Sequence, residues 1–417
     1  MNKAFSWPRV CMEKGHISSR AAYTSIILLG FVSMMGDTVY EGARGLVPDY
    51  LYYLGASAFV VGVASGLGEF LGYVIRLGSG EAADRTRAYW SFIFLGYGLI
   101  VAIPLLGFAW TWEIAVVFVL LERLGKGLRA PSRDAVLSIV SKGVGAGRAF
   151  GLHELLDQVG AVVGPLLVAG LMFYTLNNYQ VSFLFLFLPF LLLVLALGIT
   201  RRKVGVVGVR RTEAVDQEHT KLRRPFYVYT FAVFLNTIGL IPAALILFRA
   251  SVLLQPENLE WFVPIVFVII QGADAVVAPV AGYAFDRYGV RLMAIPFILS
   301  IIPALYLSLA VSLEFIIYSA VFFGLVLGMQ ESTYRAAVVK FAPIQSRGRA
   351  YGIFNTAYGI GFLISGAMFG MFLDFNAPFI TIFLSVVTLQ ALATAVLSAT
   401  HIEEQGKAVP SSSESEP

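Results

Sequence analysis

Length, composition and charge place this chain in a membrane. Its 417 residues are 58% hydrophobic and 13% charged, whereas soluble domains average about 45–50% apolar and about 25% charged residues. The mean hydropathy of +0.78 excludes an ordinary soluble domain, and the formal net charge of +4 gives no indication of nucleic-acid binding. The only cysteine, Cys11, cannot form an intramolecular disulfide.

Twelve apolar stretches predict twelve transmembrane helices. A membrane-spanning helix needs about 18 or more apolar residues, and the charge-free runs 181–199, 226–248 and 292–313 reach that length. The runs are continuous and do not alternate, so we predict an all-α integral membrane protein and exclude a β-barrel. The predicted spans are 22–50, 57–79, 88–110, 112–133, 148–174, 181–200, 226–250, 260–283, 291–311, 313–334, 348–373 and 377–398.

The distribution of basic residues predicts the orientation in the cell membrane. Lysine and arginine concentrate in the two termini and in the even-numbered connections, and only Arg249 lies on the other side. By the positive-inside rule, both termini are cytoplasmic. We interpret the first span as retained and not as a signal peptide, because Asp37 and Glu41 interrupt it and eleven further spans follow.

Four sequence matches in chain order relate the second half of the chain to the first. The clearest is Gly80-Glu-Ala-Ala-Asp84-Arg85, which returns as Gly282-Tyr-Ala-Phe-Asp286-Arg287 at an offset of 202 residues. The other three pair Gly45–Leu51 with Gly239–Leu245, Arg133 with Arg335, and Gly147–Gly151 with Gly348–Gly352. We therefore predict two parallel six-helix repeats around a central cavity near the membrane midplane.

The repeat divides the chain into five parts. We predict a cytoplasmic segment at 1–20, an N-terminal six-helix bundle at 21–200, a cytoplasmic linker at 201–225, a C-terminal six-helix bundle at 226–400, and a disordered cytoplasmic tail at 401–417. The basic linker favours contact with anionic membrane lipid. Because one chain contains both halves of the pathway, a monomer is sufficient.

Several motifs resemble those of the major facilitator superfamily. Gly282-x-x-x-Asp286-Arg287-x-Gly289-x-Arg291 looks like its loop signature, and Gly80…Asp84-Arg85-x-Arg87 is a weaker copy. Arg123-Leu-Gly-Lys-Gly127 resembles the Arg-x-x-x-Gly motif of proton-coupled members. Gly160-x-x-x-Gly164-Pro165 is similar to the motif of antiporters such as the twelve-span drug:proton exchangers, although Val168-Ala169 replaces a glycine pair.

This resemblance implies alternating access with neither ATP nor a prosthetic group, so we expect no cofactor and no metal centre. An Asp-Arg pair at a tight turn can bind the free backbone groups of helix ends in one state and release them in another. Closely spaced glycines let helices approach, and proline lets a helix bend. The predicted gating residues are Gly80, Asp84, Arg85, Arg133, Gly164, Pro165, Gly282, Asp286, Arg287 and Arg335.

Acidic residues inside the spans are the most informative side chains, because each costs on the order of 2.5–3.5 kcal/mol at the bilayer centre unless it is paired or faces water. The spans carry eight acids, Asp37, Glu41, Glu69, Glu122, Glu154, Asp157, Asp274 and Glu331, against three arginines, Arg44, Arg76 and Arg123. Three bases minus eight acids give −5. This excess favours protons or a cationic cargo over a dianion.

Helical spacing places many of these charges on shared faces. Asp37, Glu41 and Arg44 follow one face of span 1, and Glu69, Tyr73 and Arg76 repeat that spacing on span 2, so each set could pair internally. A carboxyl group binds a proton more tightly in apolar surroundings than beside an arginine, so alternating these surroundings moves protons. The predicted proton-coupling residues are Asp37, Glu41, Arg44, Glu69, Arg123, Glu154 and Asp157, with Asp37 and Glu41 foremost. A static buried ion network remains the alternative.

The repeat provides an internal control. Asp37, Glu41, Glu154 and Asp157 correspond to Phe231, Leu235, Asn355 and Tyr358, so these acids do not merely stabilise a six-helix fold. We expect ion coupling in the first half and a more neutral binding wall in the second. The predicted substrate-cavity residues are Tyr40, Tyr73, Asn236, Gln271, Asp274, Gln330, Glu331, Asn355 and Tyr358.

The sequence favours a secondary transporter that exports a lipophilic or cationic small molecule in exchange for protons. Proton-coupled uptake of a polar metabolite would use the same carboxylates and stays open. Divalent-metal transport is a third possibility, although clustered His, Cys and Met ligands are missing. An enzyme has little support, because the sequence lacks the His-Glu-x-x-His, Gly-x-Ser-x-Gly and Gly-x-x-x-x-Gly-Lys-Ser/Thr motifs.

Overall fold

The computed structural model describes residues 19–141, 144–204, 221–343 and 346–405. Every regular element in these ranges is helical. The α-helices are α1 Ser19–Tyr53, α2 Ala58–Thr86, α3 Tyr89–Gly98, α4 Trp112–Val140, α5 Ala146–Tyr174, α6 Tyr179–Phe185, α7 Phe187–Val204, α8 Arg224–Ile238, α9 Ala243–Leu254, α10 Val263–Tyr288, α11 Ala294–Leu299, α12 Ile301–Ser308, α13 Leu313–Phe341, α14 Arg347–Asp374 and α15 Phe379–Gln405. We call residues 19–204 the first half and residues 221–405 the second half.

Ten helical segments in the described residues are long and apolar enough to cross a membrane, so an all-helical multi-pass protein is confirmed. They are Ser19–Tyr53, Ala58–Thr86, Tyr89–Phe108, Ala146–Tyr174, Tyr179–Val204, Arg224–Glu257, Glu260–Ser308, Leu313–Phe341, Arg347–Asp374 and Phe379–Ala399. The segment Glu260–Ser308 contains 49 residues. The 29-residue helix α4 is not among the ten, because the charges of Glu122, Arg123, Lys126 and Arg129 fall in its middle.

Several predicted segments lie partly or wholly outside the described residues. These are most of the N-terminal segment, including Cys11, the central part of the linker from 205 to 220, and positions 406–417 of the tail. Helix α15 continues to Gln405, five residues into the predicted tail.

A break separates α8 from α9 at Gly239–Pro242, where the sequence alone predicts one continuous span. Proline cannot donate a backbone hydrogen bond, so the carbonyl groups before it need other partners. Gln390 Nε2 donates to Asn236 O at 3.1 Å, and Ser365 Oγ donates to Leu240 O at 2.5 Å. Side chains from α14 and α15 therefore stabilise the broken helix.

Glycine residues allow two pairs of helices to pack closely, α1 with α5 and α2 with α14. A Cβ atom at Gly160 or Gly164 of α5 would collide with the backbone of α1, and one at Gly62 of α2 would collide with Gly366 of α14. Small residues let helix backbones approach to van der Waals distance, which stabilises helix packing in a membrane. The α2–α14 contact joins the first half to the second.

The two copies of the loop signature end in unusual backbone conformations. Gly289 has φ +64° and ψ −148°, a region that is essentially restricted to glycine. Arg87, at the same place in the weaker copy, has φ 56° and ψ 20°, the left-handed helical conformation. The first-half turn therefore differs in shape from the second-half turn and accepts a side chain.

Candidate functional site

A central cavity of about 380 Å³ lies between the two halves. Helices α1, α2, α4 and α5 of the first half and α9, α10, α13 and α14 of the second half contribute most of its wall. All seven predicted proton-coupling residues line it: Asp37, Glu41, Arg44, Glu69, Arg123, Glu154 and Asp157. The structure thus brings together charges that are up to 120 positions apart in the chain, which is the separation of Asp37 and Asp157.

Glu69 is the centre of an ion network on the first-half wall. Its carboxylate contacts the guanidinium groups of Arg44 and Arg123, the latter at 3.5 Å. Arg44 also contacts Glu41 at 3.0 Å. The predicted pairing within span 1 is therefore present, whereas Glu69 pairs with α1 and α4 and not with Arg76 on its own helix.

Helix α4 supplies cations that the sequence did not assign to the site. Lys126 Nζ lies 3.8 Å from Glu41 Oε1, and Arg129 contacts the buried Glu122 at 3.3 Å. Both cations also lie over the ring of Tyr40, at 4.6 Å and 5.1 Å from its centroid. Helical spacing puts Lys126, Arg129 and Arg133 on one face of α4, and this spacing is the sequence signal for a cationic stripe.

The predicted charge excess of −5 is wrong for the cavity wall. The wall contains all eight predicted acids but seven bases, Arg44, Arg76, Arg123, Lys126, Arg129, Arg133 and Arg335, so its formal charge is −1. The difference comes from four bases that the sum for the spans did not include. Lys126, Arg129 and Arg133 lie within the predicted span 112–133, and Arg335 lies one residue beyond the predicted span 313–334, on α13. All four face the cavity.

A second polar cluster links α4 to α5. Arg133 lies 3.5 Å from Asp157, which also contacts Nδ1 of His153 at 3.4 Å. The same arginine donates to Ser33 Oγ at 3.0 Å. Beside this cluster, Gln158 Nε2 donates to Glu154 Oε1 at 3.2 Å. Arg133, predicted as a gating residue, is thus part of the cavity wall.

Four acids of the cavity form no ion pair with any base in the described residues: Asp37, Glu154, Asp274 and Glu331. Asp37 and Asp274 are buried, with 7% and 5% exposure. Each of the other four cavity acids contacts at least one base. The acids therefore separate into a paired set and an unpaired set.

Eight of the nine predicted substrate-cavity residues line the cavity: Tyr40, Tyr73, Gln271, Asp274, Gln330, Glu331, Asn355 and Tyr358. Asn236 does not, and its prediction is wrong. It is fully buried behind the wall, where its Oδ1 accepts hydrogen bonds from Tyr334 at 2.6 Å and Gln330 at 3.2 Å. Asn236 therefore holds two wall residues in place.

Aromatic rings continue the second-half wall toward the first half. Tyr358 packs edge-on against Tyr73 at 5.7 Å and against Phe362 at 4.8 Å between ring centroids. Its hydroxyl donates to Gln330 Oε1 at 2.9 Å. Polar and aromatic groups alternate here, which suits a cargo with both kinds of surface.

The other predicted gating residues lie away from the cavity, except Arg335, which lines it. Asp84, Arg85, Asp286 and Arg287 are exposed at one end of the bundle. We call it the open end because it lies opposite the loop hydrogen bonds that join the two halves. There, Asp84 accepts a hydrogen bond from Tyr89 Oη at 2.7 Å. Gly164 and Pro165 are buried in the α1–α5 contact, Gly80 faces Pro131 of α4, and Gly282 faces Ser332 of α13.

The opposite end, which we call the closed end, carries hydrogen bonds between the halves. Asn177 Nδ2 donates to Asn258 O at 3.0 Å and to Glu260 Oε2 at 2.6 Å, and its Oδ1 accepts from Trp261 N at 3.1 Å. Asp374 accepts from the backbone amides of Ala58 and Phe59. The sequence analysis did not identify any of these residues as functional.

Comparison with known proteins decides the family. The profile of the Major Facilitator Superfamily matches residues 226–416. An uncharacterized protein of Mycobacterium tuberculosis is 33% identical over 392 residues, which cover 91% of this chain and 93% of that protein. An uncharacterized MFS-type transporter of Methanocaldococcus jannaschii is 24% identical over 354 residues, covering 84% and 88% of the two chains. The chain belongs to the major facilitator superfamily. It is a membrane transporter and not an enzyme.

Solved structures show the same fold. A variant of the nucleoside transporter NupG superposes with a TM-score of 0.74 at 12% identity, over 90% of this chain and 99% of that chain. The peptide transporter POT in complex with sulfate gives 0.67 at 16% identity, over 90% and 95%. The motifs' resemblance to the major facilitator superfamily is therefore confirmed. The sequence identity to these two solved structures, 12% and 16%, is so low that they indicate the fold alone.

Proposed function

We propose that this transporter couples proton movement to the export of a lipophilic or cationic small molecule by alternating access. The observation that carries the proposal is Asp37, a buried acid on the cavity wall that forms no ion pair with a described base. One turn away, Glu41 contacts Arg44 and Lys126. A proton on Asp37 would change the field at this network, and the network would change the proton affinity of Asp37.

We propose twelve membrane crossings in two parallel six-helix bundles. The ten apolar segments become twelve when α4 is added and when Glu260–Ser308 is counted as two crossings. At 1.5 Å per residue, its 49 residues are about twice the length that a bilayer needs. With both termini in the cytoplasm, the open end faces the cytoplasm and the closed end faces outside.

We propose that the exposed signature residues close the open end in the alternative state. Asp84 and Arg85 lie in the last turn of α2, and Asp286 and Arg287 lie in the last turn of α10, both at the end that would shut. Charge reversal at Asp286 or Arg287 should slow transport, and restoring opposite charges by exchanging the pair should recover part of it. Transport unaltered by either reversal would leave these residues as turn residues only.

The decisive experiment uses proteoliposomes with an imposed pH gradient. Organic cations, neutral drugs, sugars and divalent metal ions are tested as cargo with the wild type, Asp37→Asn and Glu41→Gln. We expect gradient-driven flux of an organic cation that both substitutions reduce at least tenfold. Glu113→Gln is the matched control, because Glu113 is exposed at the start of α4 and is not part of the cavity wall. If cargo flux is the same with and without the pH gradient, and the same in the wild type and both variants, the proposed coupling is disproved.

A second candidate is uptake of a polar metabolite together with protons. The nearly balanced charge of the wall favours it, because both signs are available to a polar cargo. The similar structures are named as nucleoside and peptide transporters. In the same liposomes, inward flux of a nucleoside, peptide or sugar along with protons, and no flux of organic cations, would select this candidate.

A further inference from the structure

The acids of the cavity are compensated unequally in the two halves. In the first half, four of the six cavity acids, Glu41, Glu69, Glu122 and Asp157, each lie within 4 Å of one or more bases, whereas Asp37 and Glu154 pair with no described base. In the second half, Asp274 of α10 and Glu331 of α13 form no ion pair with a described base, although both line the cavity. The second half therefore presents negative charge that the protein itself does not neutralise by contact.

Asp274 is the more constrained of the two carboxylates. It is 5% exposed, and its Oδ1 has no hydrogen-bond partner within the described part of the chain. A Cβ atom at Gly328 of α13 would lie 2.8 Å from that same oxygen, so the glycine leaves room for the carboxylate. Removing a carboxylate from water without a partner is strongly unfavourable. A buried acceptor of this kind at a cavity wall is suited to a ligand that brings the missing donor.

The charges that face these acids do not remove the deficit. Arg335, four residues after Glu331 on the same helix, is the only base that the second half contributes to the wall, and it makes no ion pair with Glu331. Lys126 and Arg44 face the cavity from the first half, but both contact Glu41. No base in the described residues pairs with Asp274 or Glu331, so the cavity contents can supply a positive partner for them.

The surroundings of Asp274 favour an organic cation over a small inorganic one. Phe267, Ile270, Phe323 and Leu327 line the same part of the wall on α10 and α13. A metal ion would need several oxygen or nitrogen ligands at close range, and the described residues contain no group of three His, Cys, Asp or Glu side chains placed to hold one. An ammonium group on an apolar body matches both the carboxylates and the aromatic rings.

We infer that Asp274, assisted by Glu331, is the subsite that binds the ammonium group of the cargo. This inference rests on the proposed function, because it names the chemical class of the cargo and the half of the protein that selects it. It also separates two tasks: Asp37 and Glu41 respond to protons, whereas Asp274 and Glu331 respond to the cargo's charge.

The test measures binding to full-length protein in detergent, without any gradient. The charged probes are 2-phenylethylamine, benzyltrimethylammonium and ethidium; the uncharged comparison is 2-phenylethanol, and the metal comparison is Mn²⁺. We expect Asp274→Asn to weaken binding of a charged probe at least tenfold and Glu331→Gln to weaken it severalfold. Glu113→Gln should bind like the wild type, and 2-phenylethanol should bind equally to all variants.

Thermal unfolding of the same samples excludes a merely structural role. Asp274 has no ion partner to lose, so Asp274→Asn should keep or raise the unfolding temperature while losing the charged probe. Equal binding of charged probes by wild type and Asp274→Asn would overturn the inference, as would a wild type that binds none of them or prefers Mn²⁺. Loss of gradient-driven flux with probe binding intact would instead contradict the proposed coupling, so the two failures are distinguishable.

Discussion

The carboxylate of Asp374, the last residue of α14, caps the helix that begins at Ala58 in the other half. Its Oδ1 accepts from Ala58 N at 2.8 Å, and its Oδ2 accepts from Phe59 N at 2.9 Å. The first amides of a helix have no partners within that helix, and they carry the positive end of its dipole. This side chain thereby ties the two halves together at the closed end, in addition to the hydrogen bonds of Asn177.

Asp374→Ala should open the closed end. It removes two hydrogen bonds to a charged acceptor, each contributing about 1.5–3 kcal/mol. Spin labels at Tyr53 and Phe375, both exposed, would report the separation, in a chain whose only natural cysteine, Cys11, is replaced by serine. We expect a longer-distance population to grow, whereas Glu113→Ala, at the start of α4, should leave the distances unchanged. Identical distance distributions would contradict this role.

Asn177→Asp should open the same end by repulsion. The new carboxylate would stand where the amide now donates to Glu260 Oε2 at 2.6 Å. Acidifying the sample toward the ordinary carboxyl pKa of about 4 should reverse the opening, since one of the two acids then becomes neutral. Asn376→Asp is the matched control, because Asn376 also has a positive φ in a loop after a long helix. The same labels measure both variants, and a shift that does not respond to pH would disprove the repulsion.

Glu69→Gln should destabilise the fold. It leaves Arg44 and Arg123 without the acid between them, and breaking a buried ion pair costs about 3–5 kcal/mol. Since Glu69 is partly accessible from the cavity, we expect the lower end of that range and a clear fall in unfolding temperature. Glu154→Gln should have little effect, because Glu154 contacts Gln158 and no described base. Equal unfolding temperatures for the two variants would contradict the central place of Glu69.

Gly289→Ala and Arg87→Gly should act in opposite directions. Gly289 occupies a backbone region that costs other residues about 1–3 kcal/mol, so alanine should lower the unfolding temperature. Arg87 holds a left-handed conformation that costs about 1–2 kcal/mol, so glycine should raise the temperature slightly. Tryptophan fluorescence during heating measures both variants. A lower unfolding temperature for Arg87→Gly would show that the arginine side chain stabilises the fold by more than its backbone strain costs.

The sequence predicted the membrane class and the acids of the cavity because both depend on local patterns. Apolar runs reveal spans, and a charge inside a span can persist only beside a partner or a cavity. It misplaced Asn236 because a buried polar residue that supports Gln330 has the same helical spacing as one that faces the cavity.

The contacts between the halves at the closed end could not be predicted from the sequence, for a different reason. Asp374 and Ala58 are 316 positions apart, and Asn177 and Glu260 are 83 positions apart. Neither pair follows a repeat or a motif, and each residue taken alone is an ordinary residue of a helix end or a loop. Only the packing of α2 against α14 brings the first pair together.

The charge balance of the wall has an electrical consequence. Moving one elementary charge across a membrane is worth about 2.3 kcal/mol per 100 mV, and seven bases nearly cancel eight acids around this cavity. With all eight acids ionised, the wall of the empty protein therefore carries about one net charge when the protein changes state. Voltage would act mainly on the proton and the cargo, so flux measured under a clamped membrane potential would report their charges and not the protein's own.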